Sequence, residues 1–156
     1  MTLLKKLIKE TDSLMLIDKN MVFFSENCNT AEEAIRTAGT LLVQHGYAKE
    51  TYVDSMVNNY MKNGPYFVLA PGLAMPHGRP EDGVIKTGIS VLILDKGVEF
   101  GNGANDPVQI VIGLATANND EHLRLISNLA KLLNNNIIKQ LAEAKTSEQV
   151  IEILNS

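Results

Sequence analysis

The sequence has one cysteine, Cys28, in 156 residues. That excludes an internal disulfide and any metal site built from several cysteines, and it suits a reducing cytoplasm. Cys28 is therefore read as inert. Runs of Lys or Arg are also missing. Fourteen basic side chains are dispersed among 18 acidic ones, for a formal charge of -4, so there is no basic stripe to meet a phosphate backbone and nucleic acid is excluded as a partner. No apolar run approaches the roughly 20 residues of a membrane span, so direct membrane insertion is not expected. The first ten residues, Met1 to Glu10, interleave lysines with leucines at helical spacing, which predicts an amphipathic helix rather than the continuous apolar stretch of a signal peptide. Repeats, linkers and low-complexity tracts are absent as well. With 45% apolar and 21% charged residues, the chain reads as one soluble domain over residues 1–156.

Several chemical signatures are missing too. There is no Gly-x-Ser-x-Gly elbow for a serine nucleophile, and no His-Glu-x-x-His or other ligand spacing for zinc. The glycine-rich loop Gly101 to Pro107 lacks the Gly-Lys-Ser/Thr ending of a nucleotide-binding loop. No metal and no cofactor are expected.

Strands and helices alternate along the chain. Leu14–Ile17 and Met21–Phe24 are β-prone runs divided by Asp18-Lys19-Asn20, which predicts a hairpin or a bent strand. Thr30 with Glu33 fits a capping box opening a helix with Ala34, Ala38, Leu41 and Leu42 on its apolar stripe. That helix stops at His45-Gly46, where His45 has a structural place beside the glycine. A second helix runs from Lys49 to about Lys62 and ends at Gly64-Pro65. Val84 to Leu94 reads as a buried strand, Asp95-Lys96-Gly97 as a turn, Val98-Glu99-Phe100 as a short edge strand, and Val108 to Ala115 as a second buried strand. Asn118 with Glu121 caps a helix carrying Leu123, Ile126, Leu129, Ala130 and Leu133, and helices over Asn135–Ala144 and over Ser147–Leu154, with Thr146 as the cap of the latter, follow. The fold class is α/β: a single-domain sandwich with a mixed sheet of about four or five strands flanked by helices.

The stretch from Gly64 to Gly83 organises the rest. Tyr66 to Ala70 reads as a short buried strand ending at Pro71-Gly72. Pro76 and Pro80 restrict the backbone around it and Gly78 permits close approach, so His77 and Arg79 sit on a stiffened loop. Pro-His-Gly is either turn chemistry alone or a site. His122 falls in the first turn of a helix, where the dipole keeps an imidazole neutral and the amides can meet an anion; it is either a solvated helix-start residue or the second half of that site. Because each histidine follows a strand, the two are expected to converge on one cleft. Two neutral imidazoles suit phosphoryl transfer, one as nucleophile and one as donor, with the Gly78 amide and the Arg79 guanidinium as further donors.

The Gly72-Leu-Ala-Met-Pro-His-Gly78 loop, Gly46-Tyr47 followed by Tyr52 and Met56, Lys86-Thr-Gly88, Val98-Glu-Phe-Gly101 and Asn118-Asn-Asp-Glu-His122 together resemble one family over nearly the whole chain. It is the enzyme IIA group of the sugar phosphotransferase system (PTS), in the mannitol-fructose-ascorbate class. The resemblance implies a cytoplasmic phosphocarrier. Nε2 of His77 takes phosphate from the phosphocarrier protein HPr and passes it to a cysteine of a IIB component, coupled in turn to the membrane IIC transporter, while His122 steadies the phosphoryl group. The stretch from Gly64 to Pro80 looks most like stand-alone ascorbate-specific members, implying L-ascorbate uptake. A regulatory IIA-like phosphoprotein, a IIA for another sugar or polyol, and a non-enzymatic anion-binding module are the alternatives. Mannitol-type relatives carry an arginine three residues after the methionine matching Met56, where this chain has Asn59. Arg79 is either its replacement or a solvated loop charge. Leu73, Met75 and Gly78 are expected to form the shallow apolar rim on which HPr and IIB dock.

Overall fold

The computed structural model describes residues 17 and 19–155. The expected amino-terminal helix, and the first apolar run up to residue 16, lie outside the described residues. Five strands form one mixed sheet: β1 (Val22–Ser25), β2 (Val68–Ala70), β3 (Leu73–Ala74), β4 (Gly88–Val98) and β5 (Val108–Ala115), in the order β1-β4-β5-β3-β2. The antiparallel pair β4–β5 is the centre, from Gly88 opposite Ala115 to Val98 opposite Val108. β1 runs parallel to β4 and β3 parallel to β5, while β2 pairs antiparallel with β3 at the edge.

Both central strands are apolar on both faces because both faces are covered. Ile89, Val91 and Ile93 of β4, with Ile110, Ile112 and Leu114 of β5, join a core closed by α3 (Asn119–Leu132), α4 (Asn135–Glu143) and α5 (Ser147–Asn155). The alternate residues Leu92, Leu94, Val111 and Ala115 join a second core under α1 (Ala31–Gln44) and α2 (Glu50–Asn63). Alternation of side chains along a strand thus divides one sheet between two cores. The capping residues act as their types predict: Thr30, Asn118 and Thr146 accept bonds from the amides of Glu33, Glu121 and Gln149.

Several expectations need correction. β1 pairs in parallel with β4, and Lys19–Met21 is a short 3-10 turn leading into β1, whereas the hairpin or bent strand expected with Leu14–Ile17 falls, apart from Ile17, outside the described residues. The stretch Tyr66–Ala70 is an edge element with Tyr66 and Leu69 exposed, and the sheet-forming segment next to β5 is the two-residue β3. Asp95-Lys96-Gly97 does not end a strand: β4 continues to Val98 through a register shift, because pairing with β5 overrides turn composition. Gly97 is instead a place of close approach, where a Cβ would stand 2.6 Å from Cβ of Pro107. Phe100 is buried rather than on an edge, and the loop after it is organised by Asp106, whose carboxylate accepts from the amides of Phe100, Gly101 and Asn102.

A further correction concerns α3, which buries Leu125, Leu129 and Leu132 while Leu123 is 68% exposed. The stripe expected from Leu123 and Ala130 is therefore displaced around the helix. Similarly, Leu73 and Met75 are core residues, 1% and 0% exposed, and provide no apolar rim for a partner. Met75→Ala should accordingly cost about 2–5 kcal/mol, as a buried large-to-small change does. Leu123→Ala should stay within about 0.5 kcal/mol of the unmutated protein. Urea unfolding checks both, and a larger loss at Leu123 than at Met75 would show that these faces are assigned the wrong way round.

Candidate active site

The two histidines meet because β3 and β5 are parallel neighbours, so the chain leaves both at the same edge of the sheet. After β3, the amide of Leu114 donates to the carbonyl of Pro76 at 3.1 Å, keeping the departing chain against β5. After β5, Thr116 and Ala117 lead to Asn118, the N-cap of α3. Thr87 ties this corner to the start of β4: its hydroxyl donates to Glu121 at 2.6 Å and accepts from the amide of Ala117 at 3.0 Å. His122 shares the inward stripe of α3 with Leu125, Leu129 and Leu132, a spacing that places it on the sheet side of the first turn. The imidazole rings of His77 and His122 lie 4.2 Å apart between centroids, inclined at 62°.

His77 is 9% exposed. Its Nδ1 lies 3.0 Å from the carbonyl oxygen of Met75. A carbonyl only accepts, so Nδ1 carries the ring proton and Nε2 presents its lone pair. Burial pushes the His77 pKa below its ordinary value of 6.5, only partly opposed by the bond to Met75. His122 is held by Thr116, whose Oγ1 lies 3.0 Å from Nδ1. Its pKa is lowered to about 4, first by burial and then by the neighbouring His77. Both rings are thus neutral at pH 7, and the main cause is desolvation rather than the helix dipole. Together they offer a nucleophilic nitrogen beside a second imidazole, in a cleft of about 570 Å³ that Asn59, Lys62, Tyr66, Arg79 and Asn119 also line.

Residues 15–156 match the family model described as phosphoenolpyruvate-dependent sugar phosphotransferase system, EIIA 2. The chain belongs to that family. It is an EIIA component and a phosphotransferase. Among similar proteins, the mannitol-specific cryptic phosphotransferase enzyme IIA component of Escherichia coli is 39% identical over 125 residues, covering 80% of this chain and 84% of that one. The ascorbate-specific PTS system EIIA component of Salmonella typhimurium is 35% identical over 142 residues, covering 90% and 92%. The solved complex of enzyme IIA for mannitol with phosphorylated IIB from Escherichia coli contains a chain 33% identical to this one. The two superpose with a TM-score of 0.80, over 90% of this chain and 98% of that one.

In this EIIA component the loop amides do not face the cleft as donors. The Gly78 amide donates to the buried hydroxyl of Tyr52 at 3.0 Å, and that hydroxyl in turn donates to the carbonyl of Leu114. The Arg79 amide donates to Ser55 at 3.1 Å. Gly78 therefore serves packing: a Cβ there would run into the Ser55 side chain, 2.8 Å from its Cβ, so the loop lies directly on α2. The Arg79 side chain is 72% exposed and forms two 3.1 Å bonds with Asp82, with Glu81 at 3.5 Å. Its charge at the cleft mouth is offset by two carboxylates, which makes it a weaker phosphate donor than the sequence suggested. Sequence reasoning also missed Tyr66 and Lys62, and marked Asn59 only as the place of an arginine found in mannitol-type relatives. The spacing of Asn59, Lys62 and Asn63 on one face of α2 was the available signal for two of these. Tyr52, which the family resemblance singles out together with Met56, is buried and supports the loop. His45 caps α1, and Cys28 is buried beside Ser25 and Thr37, both away from the cleft.

The lowered histidine pKa values carry a stability consequence. An unfolded histidine titrates near 6.5, whereas His122 in the fold titrates near 4. Between these limits the unfolded chain binds more protons, so stability is fully present above about pH 6.5 and declines as pH falls toward 4. His122→Gln, which cannot be protonated, should flatten part of that decline in urea midpoints measured from pH 7 to pH 4. An unchanged slope would show that His122 is not held neutral by the fold.

Proposed function

We propose that this chain is a cytoplasmic phosphocarrier forming a single EIIA domain, which takes phosphate from phospho-HPr onto Nε2 of His77 and passes it to a cysteine of a IIB component. The observation that carries this reading is the His77 ring itself. Its Nδ1 proton is committed to Met75, leaving Nε2 as the basic nitrogen, and a neutral imidazole is a competent nucleophile near pH 7. His122, neutral and fixed by α3, is placed to donate to the equatorial oxygens where charge accumulates in a loose transition state. Lys62 supplies positive charge to the lining of the cleft, while that of Arg79 is largely taken up by Asp82 and Glu81. The solved complex with phosphorylated IIB supports a IIB partner by similarity. Among the described residues no helix is long and apolar enough to cross a membrane, and in the proposed relay the link to the IIC transporter runs through IIB.

For the transported molecule, L-ascorbate is the first reading, supported by ascorbate-specific relatives that cover 90% of this chain. Mannitol is the second, favoured by the 39% identity of the mannitol-specific relative over a shorter span. Transfer to ascorbate-type and mannitol-type IIB proteins, compared side by side, separates these, and transfer to neither would favour a regulatory role.

Mixing the chain with phosphoenolpyruvate, enzyme I and HPr should label it with one phosphate that is labile in acid and stable in base. His77→Ala should take no label, and a His77→Ala protein that is still labelled would overturn the assignment. His122→Ala should accept phosphate yet slow single-turnover transfer to IIB by about 10²–10³, the usual cost of a lost transition-state donor. His122→Gln, which keeps an N–H, should recover part of that loss. Transfer by His122→Ala at the unmutated rate would leave His122 with only a structural place.

A further inference from the structure

The nucleophilic nitrogen of His77 is already occupied. Nε2 lies 2.9 Å from the hydroxyl of Tyr66. With the ring proton committed to Met75 through Nδ1, Nε2 only accepts, so the Tyr66 hydroxyl is the donor. The rest of the network agrees. Asn59 Nδ2 donates to the Tyr66 oxygen at 2.8 Å, filling an acceptor position and directing the hydroxyl proton at the ring. The same Asn59 amide donates to the His77 carbonyl at 2.9 Å, and Asn63 fixes its orientation by donating to Asn59 Oδ1 at 2.7 Å. An incoming phosphorus must approach along the Nε2 lone pair, and that line is blocked while the hydroxyl stands on it.

Resting on the reading of His77 as the phosphate acceptor, we propose that Tyr66 is a catalytic residue of the relay: its hydroxyl caps the Nε2 lone pair at rest and turns to donate to a phosphoryl oxygen as the N–P bond forms. Tyr66 is 51% exposed, and its ring meets His77 and Phe67 edge-on rather than being enclosed, so it can turn without opening the core. The exchange balances. The Nε2 lone pair makes the new bond to phosphorus while the P–N bond of the donor phosphohistidine breaks and returns its electron pair to the donor ring. The Nδ1 proton stays against Met75, and the tyrosine proton stays on its oxygen and changes only its acceptor. The new acceptor is anionic, and a hydrogen bond to an anion is roughly twice as strong as one to a neutral atom. The swap therefore favours the transferring state over the resting one, as a catalytic contact must.

Tyr66→Phe tests this, since it keeps the ring contacts and removes only the hydroxyl. Two readouts apply. In NMR titration of the unphosphorylated protein, the His77 ring should protonate at higher pH than in the unmutated chain, because the bond that favours its neutral form is gone. In single-turnover transfer from phospho-HPr, and onward to IIB, the variant should be slower by about tenfold, less than the 10²–10³ of a buried donor because Tyr66 is half exposed. A variant that transfers at the unmutated rate or faster, or whose His77 titration does not move, overturns the proposal. Failure of the unmutated protein to accept phosphate would instead overturn the reading of His77, so the two claims fail separately.

Discussion

The bond between His77 Nδ1 and the carbonyl of Met75 is the interaction on which the site depends. It chooses the tautomer, and with it the nitrogen that can react, and it does so with a backbone atom that the fold holds immobile. Met75 is completely buried in the core shared by β4, β5 and α3. The orientation of the His77 ring is therefore set by a backbone atom fixed through hydrophobic packing rather than by another titratable group. The carbonyl is in place because β3, though only two residues long, lies in register with β5.

The same packing produces the electrostatics. Two imidazoles 4.2 Å apart in a partly dry cleft cannot both carry charge, and burial lowers both pKa values before their mutual repulsion adds to the effect. A pair that stays neutral can attract an anionic phosphoryl group through N–H donors without binding it as tightly as fixed cations would. That suits a carrier that has to release what it accepts. The positive charge that is present sits outside the pair: Lys62 at the edge of the cleft, and Arg79 paired with Asp82.

Much of this was legible in the sequence, for reasons that can be named. The capping residues Thr30, Asn118 and Thr146, the apolar runs of β4 and β5, and the proline-bounded loop around His77 are local signals, and each matched what the chain does. What was not legible depended on neighbours distant in sequence. β3 is too short to have a pattern of its own and exists by pairing with β5. Gly97 resembles a turn residue but makes room for Pro107. Gly78 resembles an opening for ligand and instead admits Ser55 of α2. The inward face of α3 was misread because His122 was treated as polar, when it belongs to the buried stripe with Leu125 and Leu129. Tyr66 was assigned to a buried strand, so its hydroxyl was never considered as a partner for His77.

The central claim is that the fold commits one nitrogen of His77 to Met75 and leaves the other to react. The most direct measurement is NMR of the phosphorylated, ¹⁵N-labelled protein, using phosphorus–nitrogen and proton–nitrogen couplings within the His77 ring. The account predicts phosphorus bonded to Nε2, with Nδ1 still protonated and protected from exchange. Phosphorus bonded to Nδ1 would contradict it, because that nitrogen could react only if the Met75 bond were broken.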